Sequence, residues 1–438
     1  MELFACHQIN IQKEIDKRVQ YGYNSAIVVV EMIDDKTKYY IASPRDSHLS
    51  KKELETSIFE IGSLTKLFTA HLTFLLAKEG YFSVDEPVEM YLPLAVNIPS
   101  YQDVKITMRH LLTHTSGLIE PWGENYLSIQ GNTTPAADYT IDDLYRYLNQ
   151  SELKQKPGTK IQYSNLGYGL IGHILENITG KNYYELLKEK ILSPLQMNRT
   201  FQDVPADLIE SMVEGTSNGR PVQYWKIIAL PAFGALKSTA KDLEKYIKFL
   251  FSNKIDLTVK NELINPYLKW DKEEIISTPG LTIDYRHNSH FYAAAGKTLG
   301  FTSFMGYAPN EKKGIIVLTN SDSIDQLGHH LLNQKFPLQR LFETVSLSAS
   351  SLEKFVGSYR GKGDLKDCLI EIVREDNHLI LKLDKSAPLY LYPASQNTFF
   401  IKYFGENYMH INFIESHNQI KFTFFTTDEE KIFFYKVD

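Results

Sequence analysis

Ser63 and Lys66 stand three residues apart in the segment IGSLTKLF, residues 61–68. On a helix, positions i and i+3 share a face, which brings a serine Oγ and a lysine Nζ within reach of each other. A serine hydroxyl attacks a carbonyl only when a base takes its proton, and a lysine amine is a base only when neutral. An ordinary lysine titrates near about 10.4, so burial or a neighbouring cation has to lower it. The flanking FEIG and LFTAHLTFLL are apolar enough to supply that burial. Standing alone, such a pair is more often a helix cap beside a solvated lysine.

Two further stretches change that weighting. IQYSNLGYGLIG sets Tyr163 and Asn165 in a polar turn before an apolar helix, where the phenol can relay a proton and the amide can touch a substrate. In isolation it reads as an Asn cap beside a packed tyrosine. YAAAGKTLGFTSFMGYAP is a strand passing a Gly-rich bend. A strand edge beside the nucleophile can lend one backbone N–H to an oxyanion hole, with the N–H of Ser63 as the other donor. As a bare pattern it is a bulge or hairpin turn.

The elements that must position these groups follow from periodicity. Residues 11–21 have helical spacing, and SAIVVVEMID and TKYYIAS read as strands about a turn at Asp34-Asp35-Lys36. Ser63 opens a helix that Gly80 stops. More helices follow at TMRHLLTH, TIDDLYRYLNQ, LGYGLIGHILENITG and NYYELLKEKIL, and then at STAKDLEKYIKFLFSN, with Ser238 or Thr239 as N-cap. Strands return at HFYAAAG, FTSFMGYAP and KGIIVLTN. First and last thirds that supply strands around a helical middle predict an α+β/α unit. Its antiparallel sheet is flanked by helices, with a helical subdomain. The small-residue run SLSASS reads as a linker, and the alternating segments after it predict a small all-β barrel or sandwich. The expected division is 1–345, a linker at 346–350, and 351–438.

The composition is that of a globular protein: 438 residues, 43% hydrophobic and 23% charged, with a net charge of −6. Lys and Arg are scattered, which leaves no electrostatic footprint for nucleic acid. Cys6 and Cys368 lie near opposite ends and build neither a disulfide framework nor a zinc site. No run of about 18 apolar residues exists to span a membrane. The N-terminus lacks the basic and apolar regions of a secretory signal, so the expectation is a cytoplasmic protein.

In this order, the three stretches resemble the serine beta-lactamase and penicillin-binding-protein-like family, in its esterase and D-peptidase branch. GYFSVDEPVEMYLP (80–93), KITMRHLLTHTSGL (105–118), the long run PGTKIQYSNLGYGLIGHILENITGKNYYELLKEKILSPLQM (157–197) and FGALKSTAKDL (233–243) are similar to it as well. The resemblance implies Ser63 as acyl-accepting nucleophile, Lys66 as general base, Tyr163 as second proton-transfer group and Asn165 as a substrate-orienting amide. No metal or organic cofactor is implied, and the partner is a small-molecule or peptide substrate. His114, in HTSG, and His71 are read as structural.

The third motif departs from the family pattern, which has Lys or His, any residue, then Gly, six residues before a Gly-aromatic pair. Counting back from Gly300-Phe301 gives Ala294-Ala295-Gly296, so Ala294 and Gly296 take the substrate-binding positions without the cation. The alternative, Lys297-Thr298, would sit at the bend. Relatives use that cation on a substrate carboxylate. Its loss favours esters, thioesters or amides lacking a free carboxylate over β-lactams and free C-termini. The tail from 351, LEKFVGSYRG and its strands, resembles the lipocalin-like barrel appended to many such hydrolases. It is expected either to border the site and narrow substrate choice or to be purely structural. Three functions remain open: an acyl-enzyme hydrolase, an acyltransferase or peptide-cyclising thioesterase, and a non-catalytic binding protein. Oligomeric state is open too.

Overall fold

The computed structural model describes residues 9–34, 36–44, 50–122, 138–217, 220–270, 274–321, 326–338, 341–362, 368–376, 378–383, 388–401, 410–416, 419–425 and 431–437. Cys6, the first eight residues of the N-terminal segment and Asp35 of the first expected turn lie outside them.

Helix α1 (Ile11–Gln20) is capped by Asn10, and strands β1 (Ile27–Ile33) and β2 (Lys36–Ala42) follow. After α2 (Lys51–Leu54), β3 (Phe59–Glu60) leads into α3 (Thr65–Lys78). The helical middle holds α4 (Met108–Leu112), α5 (Ile141–Gln150), α6 (Asn165–Thr179) and α7 (Tyr183–Leu187). Next come β4 (Thr216–Ser217), β5 (Arg220–Pro221), β6 (Lys237–Ser238), α8 (Ala240–Leu250) and α9 (Leu257–Ile264). The chain then returns to the sheet with β7 (Leu268–Lys269), β8 (Ile275–Ser277), β9 (Thr282–Asp284), β10 (Phe291–Lys297), β11 (Thr302–Ala308) and β12 (Lys313–Thr319). Helices α10 (Leu327–Leu332) and α11 (Ala349–Glu353) precede the last group of strands. These are β13 (Gly357–Gly361), β14 (Leu369–Glu375), β15 (His378–Leu383), β16 (Leu389–Pro393), β17 (Thr398–Phe400), β18 (His410–Ser416), β19 (Gln419–Phe425) and β20 (Lys431–Lys436).

The expected sheet forms from chain ends far apart in sequence. Its order is β2-β1-β12-β11-β10-β9-β8-β7, antiparallel throughout, and Val30 sits opposite Ile316. The near-continuous apolar run IVVVEMI suits β1, which is covered on both faces. Val28 and Val30 join the large core beneath α3 and α8, while Ile27 and Val29 join a second core under α1 and α10. Two layers of helices therefore sandwich one sheet.

Three local expectations are corrected. Ser63 does not cap α3. It sits in a 3-10 turn, Gly62–Leu64, because Gly62 takes φ +49° and tightens the chain ahead of the helix. The cap of α6 is Ser164, whose Oγ accepts the Gly167 N–H at 2.9 Å, so Asn165 is the first helical residue. In SLSASS, Ser348 caps α11, so Ala349 and Ser350 are helical. Thr239, one of the two candidates, caps α8.

The C-terminal strands form a closed eight-stranded barrel, sealed by the pairing of β13 with β20. Rings of Phe355, Phe399, Phe413, Phe422 and Phe434 fill its interior. The barrel meets the sheet unit through Tyr23, which stacks on Phe400 at 5.8 Å and whose hydroxyl accepts the Phe342 N–H at 3.1 Å. Arg220 adds contacts of 3.7 and 3.9 Å to Glu375 and Asp376. Among the described residues, no helix is long and apolar enough to cross a membrane, and no cluster of His, Cys, Asp and Glu could hold a metal ion.

Candidate active site

The turn that carries Ser63 is pressed against β10 by two glycines. A Cβ on Gly62 would lie 2.7 Å from the Lys297 carbonyl oxygen. One on Gly296 would lie 2.0 Å from the Ile61 oxygen and 2.9 Å from the Ser63 nitrogen. Only glycine allows backbones this close. Ser303, opposite Gly296 on β11, ties the junction by donating to the Ile61 oxygen at 2.8 Å. The Ser63 amide and the β10 backbone thus come together, as an oxyanion site requires.

Lys66 occupies the first turn of α3 and is 3% exposed. Its Nζ lies 2.9 Å from Ser63 Oγ, 2.7 Å from Asn165 Oδ1 and 2.7 Å from the Phe233 carbonyl oxygen. Burial pushes its pKa down to about 7, against the pull of the Glu120 carboxylate. In the neutral amine two N–H bonds satisfy the two carbonyl oxygens, and the lone pair is left facing the serine hydroxyl. Hydrogen-bond geometry and desolvation therefore both favour a neutral amine directed at Ser63 Oγ.

Tyr163 donates its hydroxyl to Ser63 Oγ at 2.7 Å and is 42% exposed, so it joins Ser63 to the open side of the site. His114 holds it there. The imidazole lies 4.5 Å from the phenol ring, its Nδ1 accepts the Ser164 N–H at 3.1 Å, and its carbonyl accepts the Gln162 N–H at 2.7 Å. These bonds bracket Tyr163 on both sides. Burial, then the Lys66 charge, lower the His114 pKa to about 3, which keeps Nδ1 an acceptor. His71 is packed beneath α8, with Nδ1 3.2 Å from the Tyr246 hydroxyl.

The structure brings Ser63, Lys66, Tyr163 and Asn165 into one hydrogen-bonded cluster and sets Ala294 in the wall of the adjoining cavity. Asn165 presents its carbonyl to Lys66. Lys297 ends β10 at the bend and is absent from the cavity wall. No described barrel residue lines this cavity, so the expectation that the barrel borders the site finds no support in its lining.

Sequence reasoning missed Glu120 and the Phe233 carbonyl. Glu120 accepts the N–H groups of Asn165 and Leu166, the latter at 3.2 Å, and so holds the first turn of α6. Burial pushes its carboxyl pKa up. Glu120 lies two residues past HTSGL and Phe233 opens FGALKSTAKDL, both stretches already noted, but their partners are remote in sequence and no local pattern encodes them.

The chain is similar to several known proteins. Protein flp of Staphylococcus aureus strain MW2 is 27% identical over 317 residues, covering 67% of this chain and 59% of that protein. The D-alanyl-D-alanine-carboxypeptidase/endopeptidase AmpH of Escherichia coli K12 is 27% identical over 237 residues, covering 53% of this chain and 59% of its own length. The chain thus spans about three-fifths of these relatives. The structure of the octameric penicillin-binding protein homologue from Pyrococcus abyssi superposes with a TM-score of 0.63 at 23% identity, covering 97% of this chain and 100% of that one. The beta-lactamase family pattern matches residues 12–332, and the chain belongs to that family.

Proposed function

We propose that the protein is a serine hydrolase that works through an acyl-enzyme on ester or amide substrates. The observation that carries this reading is the double contact on Ser63 Oγ, with Lys66 Nζ at 2.9 Å and Tyr163 Oη at 2.7 Å. Lys66 takes the hydroxyl proton as Oγ bonds to the substrate carbonyl carbon. The resulting oxyanion rests between the Ser63 N–H and a β10 N–H near Gly296. As the tetrahedral adduct collapses, the bond to the leaving group breaks and Tyr163 passes that group a proton. Water, activated by the same pair, then releases the acyl group. An amine or alcohol in place of water would make the enzyme an acyltransferase or cyclising thioesterase.

A neutral alanine at 294 and an apolar wall around it support substrates without a free carboxylate. AmpH is named for both carboxypeptidase and endopeptidase action, and this chain would differ from it in the carboxypeptidase reaction, whose leaving group carries a free carboxylate. The same reading takes 1–345 as the catalytic unit and 351–438 as a lipocalin-like appendage, with 346–350 between them.

The test is hydrolysis of p-nitrophenyl acetate and butyrate by the wild type and Ser63→Ala, with intact-mass detection of an acylated protein. Turnover or an adduct that Ser63→Ala abolishes, a loss of about 10³-fold or more, supports the mechanism. Equal background from both proteins with no adduct favours a binding protein on the same fold.

A further inference from the structure

Strand β10 is paired unequally on its two sides. Toward β11 its ladder runs on to Lys297 opposite Thr302, but toward β9 it stops at Ala293 opposite Thr282. The chain entering β9 turns off toward α3. Thr278 bonds the Leu281 carbonyl through both N–H and Oγ1, each at 3.1 Å. A Cβ on Gly280 would lie 2.8 Å from Leu67 Cα and 3.2 Å from the Lys66 oxygen. Beyond Ala293, the β9-facing edge of β10 therefore borders a slot in the sheet.

One cavity of about 180 Å³ touches both faces of that sheet. On the catalytic face it meets Ser63, Tyr163 and Ala294, and on the other it meets Ala295, Phe304 and His329. Successive side chains of a strand point to opposite faces. Accordingly Ala294 packs with the α3 core and Ala293 with the α1–α10 core. A void in contact with both sets has to pass around β10, and the slot on the β9 side is the open way. Its wall there is made by alanines at 293, 294 and 295 and Leu281, with Thr278 and Thr282 beside them, a mostly apolar lining set in the gap where β9 leaves β10. Tyr163, assigned above to the departing group, lines only the catalytic end of the cavity, so the end beyond Ala293 suits the part of the substrate that stays bound to Ser63.

We infer that this slot receives a linear, unbranched apolar acyl chain, threaded through the sheet from Ser63 toward His329. The cavity of about 180 Å³ includes the space at Ser63 itself, and it compares with the roughly 150 Å³ that admits benzene, so the slot takes a chain of at most about six carbons. The inference rests on the serine-hydrolase reading and names its substrate class.

The experiment is a series of p-nitrophenyl esters from acetate to decanoate, with pivalate and cyclohexanecarboxylate as branched counterparts, on the wild type, Ala295→Leu and His329→Ala. Ala295 lines the cavity and is exposed, so a leucine there adds bulk at the slot without entering a packed core. The expected kcat/KM rises about fourfold per methylene to an optimum near hexanoate, and branched esters fall below acetate. Ala295→Leu lowers the hexanoate-to-acetate ratio at least tenfold, and His329→Ala moves the optimum to longer chains. Rates of covalent labelling by methyl and hexyl phosphonates follow the same ratio and need no turnover. A flat series in the wild type, equal acceptance of branched esters, or a ratio unchanged in Ala295→Leu overturns the slot. Ser63-dependent acetate turnover with no length preference sinks this inference alone, whereas an absence of Ser63-dependent turnover and labelling sinks the hydrolase reading beneath it.

Discussion

The N-terminal sheet and the C-terminal barrel each hold eight antiparallel strands, yet β10 in the sheet loses its β9 neighbour after three residue pairs, while the barrel closes β13 onto β20. Where the ladder stops, backbone groups and space become available beside Ser63. Where it closes, aromatic rings fill the interior instead. On the proposed function, the chemistry collects at the interrupted pairing, and the closed barrel gives up any such edge for stability.

This contrast is broken or sharpened most strongly at Lys66. Lys66→Met should cost about 10³-fold or more in esterase rate, read against p-nitrophenyl butyrate. It should also change the stability profile. The lysine's folded pKa of about 7 lies below its unfolded value, so between about 7 and about 10.4 the unfolded chain binds more protons and wild-type stability rises with pH. Thermal unfolding of Lys66→Met should lose that slope, and an unchanged slope would mean that the amine is not desolvated. Wild-type kcat/KM should likewise climb as pH rises through about 7, where the amine becomes neutral.

Next comes Tyr163→Phe, with an expected loss of about 10²-fold or more in kcat and an unchanged fold. A rate near wild type would remove the phenol from the proton path. Glu120→Gln should cost less, under about tenfold, and move the acid limb of the pH–rate profile to lower pH, because the charge that raises the Lys66 pKa is gone. A limb that stays put would reduce Glu120 to a helix anchor.

In the barrel the same scale of damage should fall elsewhere. Phe413→Ala removes a 1% exposed ring from the aromatic core and should cost about 3–5 kcal/mol of barrel stability by denaturant unfolding. The rate per folded molecule should stay within about twofold. Arg220→Ala, at the exposed contact between the units, should change stability by about 1 kcal/mol or less. A large catalytic effect from either variant would show that the barrel shapes the site after all.

Much of the site was legible because it is built from short stretches. Ser63 with Lys66, and Tyr163 with Asn165, each lie within one turn of chain, and the strand with Gly296 carries its own bend. The closing of the sheet by β1 and β12 was legible for the same reason, from apolar runs at both ends. The Ser63 turn was misread as a helix start because its shape depends on Gly62 at positive φ beneath Lys297, a long-range contact. Glu120, the Phe233 carbonyl and the slot at Ala295 were invisible because they depend on which segments lie side by side and on where a ladder ends. The barrel strands were readable from alternation, but closure rather than a sandwich depends on the match between the first strand and the last.

The seam between the units has one more consequence, and it concerns temperature. Its ionic contacts at Arg220 are long and exposed, whereas Tyr23, Phe342 and Phe400 form a stacked apolar cluster. Apolar association weakens on cooling. The join between barrel and sheet unit should therefore be firmer in the warm and looser in the cold, and salt that only screens charge should do little to it.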